Sequence, residues 1–336
     1  MADLTPSART ALTTLGAVGA VGVGCAVWGI GIERYLFTIR RHELAVLPAG
    51  SPTLTVLHIS DAHMAPWQHR KQQWIAEIAE ATRPDLVINT GDNLGHANGL
   101  AGIRTAFAPL RGVPGLFVHG SNDLVGPTGR NPLRYFRGPS AHNQGAEQLD
   151  TAAMDTYFTD ELGWTALDNT AATIEVAGLR IDAFGVHDAH RDWDDLDALP
   201  PAIAALHPRR LFRADRPADL TLGVTHAPYR RVLDRFVELD ADLLIAGHTH
   251  GGQVRVPFSR NALVANCDIP LDQARGLSTW EHNGRRVPLN VSAGLGHSIY
   301  APVRFGCRPE VSVLTLRATG PAGNSSLDSS SGARTG

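Results

Sequence analysis

"DLLIAGHTHGG", residues 242–252, decides how the fold is read. Leu243, Leu244, Ile245 and Ala246 form an apolar run that stops at a glycine, and His248 and His250 follow at once. A strand covered on both faces reads as a continuous apolar run, the pattern of a parallel sheet clad in helices. The same event recurs upstream. Leu54–Ile59 runs into "SDAH" with Asp61 and His63, and Asp85–Asn89 into "TGDN" with Asp92. Leu116–His119 runs into "GSND" with Ser121, Asn122 and Asp123, and Leu220–Val224 into "THAP" with His226. Helical patterns at Lys71–Ala81, Ile103–Leu110 and Arg231–Glu238 separate the runs. Strand alternating with helix predicts parallel βαβ units and an α/β fold. In such sheets, sites form at the carboxyl ends of strands.

The residues at those ends share one chemistry. Asp61 and His63 are two apart, so both point to one side of an extended chain. Asp92 offers two carboxylate oxygens and can bridge two cations. Mixed oxygen and nitrogen donors suit Mn, Fe or Zn better than Ca or an all-oxygen Mg site. Two ions about 3.5–4 Å apart clamp the attacking and leaving oxygens of a phosphoryl transfer. Taken singly, each element reads as a turn or a surface histidine. Five in order, each after a strand, read as a metal site.

The order D-x-H, GD, GSND, H, GHTH resembles the calcineurin-like metallophosphoesterase superfamily, over about Leu54 to Leu316. "GHTHGGQ" (Gly247–Gln253) and "GLGHSIYAPVRFGCRPEVSVLTL" (Gly294–Leu316) resemble its membrane-associated bacterial branch of YkuE- and YaeI-type phosphoesterases. The resemblance implies a four-layer α/β/β/α sandwich and a bimetal site. Asp61, His63, Asp92 and His250 would hold one ion; Asp92, Asn122, His226 and His248 the other. A bridging hydroxide would attack phosphorus, with Asp92, Asn122 and Asp123 as the catalytic set. The substrate would be a phosphoester or pyrophosphate, such as a lipid-linked, UDP-diacylglucosamine-like molecule. One departure stands out. The family reads Gly-Asn-His-Asp/Glu, whereas here Ser121 holds the asparagine position and Asn122 the histidine position. Either Asn122 or Ser121 is the ligand. Serine hydroxyl is the poorer donor for such a site, which favours Asn122. The histidine that assists the leaving group is missing, and general-acid help contributes roughly 10²–10⁴-fold. A catalytically impaired metal-binding module is therefore the alternative reading.

Further residues carry two readings each. His187, Asp188 and His190 in "FGVHDAHRDWDD" either enter the site or form a solvated acidic loop. Arg304 contacts substrate phosphate or makes a structural ion pair. Arg130, Arg134 and Arg137, in the Pro/Gly-rich insertion between Val125 and Gln148, form a headgroup patch or an ordinary basic loop.

The 336 residues carry a formal net charge of −3, which leaves no general basic footprint for nucleic acid. The three cysteines, Cys25, Cys267 and Cys307, lack zinc-finger spacing and read as unrelated thiols. Ala11–Ile32 is uncharged and long enough to span a bilayer. With only Arg9 before it and no clear cleavage site, it reads as a retained single-pass anchor rather than a signal peptide. Arg34, Arg40 and Arg41 then vote weakly for a cytoplasmic catalytic side. The expected organisation is anchor and juxtamembrane segment 1–43, linker 44–53, catalytic domain 54–316 and disordered tail 317–336.

Overall fold

The computed structural model describes residues 5–126, 148–207, 217–257, 259, 261–297 and 301–320. Two six-stranded sheets face each other. The first runs β1 (Thr38–Leu47), β12 (Glu310–Ala318), β2 (Leu54–Ile59), β3 (Leu86–Asn89), β4 (Gly115–Phe117), β5 (Thr165–Ala166). The second runs β10 (Gly276–His282), β11 (Arg285–Val291), β9 (Leu243–Ala246), β8 (Leu220–Thr225), β7 (Leu179–Val186), β6 (Thr170–Val176). β2 to β5 pair in parallel, as do β7 to β9, so each set ends on one side.

Period-two alternation sorts the core. Val56, Ile88 and Leu116 of the first sheet pack against Ile181, Leu222 and Ile245 of the second. Leu57 and Ile59 turn outward beneath α2 (His69–Thr82) and α3 (Leu100–Phe107), whose Ile75, Ala79, Ile103 and Phe107 cover them. The short helices α4 (Ser121–Leu124) and α5 (Thr151–Thr156) follow β4. On the second sheet's outer face, Phe184, Leu244 and Leu289 meet Leu199 of α6 (Leu199–Leu206) and Val232, Leu233 and Phe236 of α7 (Arg230–Glu238). The result is the expected α/β/β/α sandwich.

At the N-terminus, α1 (Pro6–Ala26) continues through a wider turn at Val27–Ile32. Leu12–Tyr35 is long and apolar enough to cross a membrane, and Leu15, Val18 and Val21 are exposed along it.

The boundaries differ from the sequence reading in two places. Leu44–Leu47, read as linker, completes β1, which pairs with β12 over Thr38 to Leu47. Its charged residues hid it, because an edge strand needs few apolar positions; Leu44 and Leu47 supply the buried ones. Arg40 and Arg41 are therefore strand residues, and Arg40 pairs with Glu310 at 2.8 Å instead of flanking a bilayer freely. At the other end, β12 runs on to Ala318, past the point where the tail was expected to start. Val125 and Gln148 pair across the base of the insertion, while Arg130, Arg134 and Arg137 lie outside the described residues.

Candidate metal centre

The loops after β2, β3, β4, β8 and β9 meet where the two sheets close. Asp61, His63 and His250 form one group and Asp61, Asp92 and His226 another; within each, one ligand atom per residue lies within 4.8 Å of the others. His63 Nε2 is 3.1 Å from His250 Nε2 and 3.5 Å from Asp92 Oδ2. His226 Nε2 is 3.6 Å from Asp92 Oδ2 and 3.3 Å from His248 Nδ1. His250 Nε2 lies 3.6 Å from Asp61 Oδ1, a buried oxygen with no hydrogen-bond partner among the described residues. Ring nitrogens that face one another beside an unpaired carboxylate oxygen match the donor set of a cation site.

The backbone is bent to make this meeting. Asp61, His63, Asp92, His248 and His250 all have positive φ, between 40° and 66°. Non-glycine residues adopt that region at a cost of order 1–3 kcal/mol each, and such strain gathers at functional sites. Glycine is required at two close approaches. A Cβ on Gly247 would strike Ser60 Oγ and Asp61, and one on Gly120 would strike Asp92.

Three ligand candidates, His226, His248 and Asp61, are held from behind. His226 Nδ1 donates to the Thr90 carbonyl at 2.6 Å, and His248 Nε2 to the Asn266 carbonyl at 3.2 Å. Those bonds leave Nε2 of His226 and Nδ1 of His248 facing the site. Asp61 Oδ2 accepts from Ser60 Oγ and from the His248 amide. Asp123, fully buried, accepts the backbone N–H groups of Asp92, Asn93, Leu94 and Gly120, and so ties the β3 and β4 loops together.

Charge follows burial. Burial pushes Asp61 up to about 7 and His63 down to about 4. Burial also opposes ionisation of Asp92, but His226, His63 and two donors from Asn122 hold it at about 2. His226, whose burial works the other way, is raised to about 9 chiefly by Asp92 and Asp188. A proton on His226 thus occupies the place beside Asp92 that a cation would take.

Asn122 lies beside Asp92 and donates to it twice. Its N–H donates to Asp92 Oδ1 at 2.8 Å and its Nδ2 to Asp92 Oδ2 at 2.7 Å. Half a turn of the amide puts its oxygen in the same place, the orientation a cation beside Asp92 requires. Ser121 instead directs its N–H to Asp188 at 2.9 Å.

The loop after β7 is solvated only in part, at Asp192 and Asp195. Asp188 and His190 are buried. Asp188 accepts from Ser121 and His190, and the His190 ring lies 4.5 Å from that of His248 with Nδ1 3.0 Å from the Tyr229 hydroxyl. His187 packs between His119, at 6.0 Å, and Trp193, edge-on at 5.0 Å. Arg304 does not face substrate either. It is fully buried in a cage of carbonyls, Ala293, Gly294, Gly296 and His250, with Nη2 3.2 Å from His250 Nδ1. It positions the His250 loop. Sequence reading missed two neighbours. His119 is clamped between Asp155 at 2.7 Å and Asp168 at 2.6 Å. Glu33, at the end of the apolar helix, accepts from the Gly306 and Cys307 amides beside Arg304. The three cysteines are free thiols.

Phosphodiesterase YaeI of Escherichia coli is 26% identical over 301 residues, covering 86% of this chain and 93% of its own. The uncharacterized metallophosphoesterase YkuE of Bacillus subtilis is 22% identical over 314 residues, covering 90% and 96%. Among solved structures, TT1561 of Thermus thermophilus aligns with a TM-score of 0.40 at 12% identity, covering 73% of this chain and 91% of its own. The family described as calcineurin-like phosphoesterase matches residues 54–252. That match takes in every loop from Asp61 to His250 and more than half of the chain, so the chain belongs to the calcineurin-like phosphoesterases.

Proposed function

We propose that this phosphoesterase works with two divalent metal ions of the Mn, Fe or Zn class on a phosphoester or pyrophosphate carried by a lipid or cell-envelope molecule. The observation that supports it most is Asp92 Oδ2, which lies 3.5 Å from His63 Nε2 and 3.6 Å from His226 Nε2, beside two ligand groups that both include Asp61. In this reading Asp61, His63, Asp92 and His250 hold one ion, and Asp92, Asn122, His226 and His248 the other. Bound ions supply Lewis-acid charge to the phosphoryl group and an activated water. Asp92 lies between His63 and His226 and joins the two halves. Asp123 fixes the loops that carry Asp92 and Asn122. His190 packs on His248, but burial and the neighbouring His248 push it down to about 2, so it supports that ligand rather than delivering a proton in place of the histidine that "GSND" lacks. A helix of membrane-spanning length ending beside the domain favours a lipid-linked substrate of the UDP-diacylglucosamine kind over nucleic acid.

The test is hydrolysis of bis(p-nitrophenyl) phosphate by protein stripped with a chelator and then given Mn²⁺, Fe²⁺ or Zn²⁺. Activity should vanish and return. Bound metal with no turnover under any ion would favour the impaired binding module instead.

A further inference from the structure

A cavity of about 320 Å³ opens where the apolar helix enters the domain. Its walls carry Arg34, Arg70 and Lys71 together with Tyr35, Phe37 and Trp67. Among the described residues, its lining contains no carboxylate. Arg34 and Tyr35 belong to the end of the candidate span, so the mouth lies at the level of the membrane interface. Trp67 is 60% exposed there, and Ile30 and Ile32 of the helix, just before Arg34 in sequence, are exposed as well. Arg34 stacks on the Tyr35 ring at 4.6 Å, yet its Nε is buried with no hydrogen-bond partner among the described residues.

The inner wall belongs to the metal-ligand loop. Lys71 Nζ donates to the carbonyl of Ala62, the residue between Asp61 and His63, at 2.6 Å. Leu295 and His297 complete that wall, and Leu295 donates its N–H to Ser60 while Gly296 donates to Asp61. The cavity therefore has a cationic, aromatic mouth at the interface and a floor shared with the candidate metal centre.

We propose that this cavity binds the phosphate headgroup of an anionic membrane phospholipid, with its acyl chains left in the bilayer beside the helix. The volume is at the low end of the roughly 300–1,000 Å³ of small-molecule pockets, enough for a headgroup and not for chains. Guanidinium groups match phosphate oxygens, and Arg34 and Arg70 bring two of them to the cavity wall. Basic residues at the interface also add attraction to anionic lipid. The functional consequence, presentation of a lipid phosphoester to the adjacent metal loop, rests on the proposed function; the binding itself does not.

The test uses full-length Asp92→Asn protein in a neutral maltoside detergent, so that nothing is turned over. Phosphatidylglycerol, phosphatidylcholine and inorganic phosphate are titrated separately and followed by native mass spectrometry and tryptophan fluorescence. Phosphatidylglycerol should bind at least about tenfold more tightly than phosphatidylcholine, and the exposed pair W67A/R70E should lose at least about tenfold. Arg286→Glu, a basic position on the distant β10–β11 hairpin, should lose nothing. Equal binding of the two lipids, full binding by W67A/R70E, equal loss in Arg286→Glu, or inorganic phosphate binding as tightly as lipid would each overturn the proposal. Chelation separates the two readings. It should abolish aryl diester hydrolysis by the wild-type protein and leave lipid binding intact; loss of lipid binding would put the lipid on the metals and overturn the cavity assignment.

Discussion

The first sheet and the second contribute opposite halves of one site. From the first come the oxygens: Asp61 after β2, Asp92 after β3 and the Asn122 amide after β4. The second sends imidazoles, His226 after β8 and His248 and His250 after β9. The two sets are prepared differently. The carboxylates of Asp61 and Asp92 are held by donors, Ser60 and the His248 amide on Asp61 and Asn122 on Asp92. The imidazoles of His226 and His248 are held by carbonyls. The difference follows from charge. Carboxylates need donors around them, and a neutral ligand imidazole needs an acceptor behind it. His63 crosses the division, coming from the first sheet to face His250. Neither half alone offers a balanced cation site, so the site exists only where the sheets close.

That comparison can be broken at its seam. Asp92→Asn removes the charge lying between both halves, and aryl diester turnover should fall by at least about 10³-fold, the upper end of what a single oxyanion-hole donor supplies. Asn122→Ala and Asp123→Asn should each lower metal affinity by roughly 10–100-fold, with Ser121→Ala close to wild type. If Ser121→Ala empties a site and Asn122→Ala does not, the ligand assignment in "GSND" is wrong. His190→Ala should slow aryl esters and esters with poor leaving groups alike, by roughly 10-fold, because it supports His248 and carries no proton. A loss confined to poor leaving groups would make His190 the proton donor after all.

Smaller effects sharpen the contrast. In the proposed site a metal ion would displace protons from Asp61 and His226, which are raised to about 7 and about 9. Titration calorimetry should therefore show affinity rising from about pH 6 to about pH 9, with protons released on binding. Away from the metals, burial opposes protonation of His119, but Asp155 and Asp168 raise it well above 6.5. Its contribution is fully present below about pH 6.5 and is lost as pH rises through that raised value. His119→Ala should cost about 1.5–3 kcal/mol by urea unfolding at low pH, and the gap should narrow at high pH. The least effect is expected from removing residues 1–27, which keeps Gly29, Glu33 and β1. The protein should leave the membrane fraction with aryl diester turnover unchanged. A cut through Ala49 is a different matter: it takes away β1 and the Glu33 contacts to Gly306 and Cys307, and should unfold the sheet edge.

Much of the site was legible because it lies at chain events that sequence displays. A buried parallel strand is an apolar run, and the residue that ends it stands out; Asp61, Asp92, His226 and His248 were all found this way. What could not be read depends on partners distant along the chain. Arg304 looks like a phosphate ligand until carbonyls from four other residues, Ala293 and His250 among them, enclose it. His190 becomes part of the site only because β7 pairs with β8 and brings it to His248. β1 reads as a basic juxtamembrane stretch, since its pairing with β12 spans nearly the whole domain.

The central claim is that two halves, one from each sheet, hold two ions. Metal content by inductively coupled plasma mass spectrometry, measured on wild type, His250→Ala and His226→Ala alongside aryl diester turnover, tests it directly. The account predicts two ions per chain in the active wild type and one in each inactive variant. Full turnover by wild-type protein carrying no metal, or two ions retained in both variants, would contradict it.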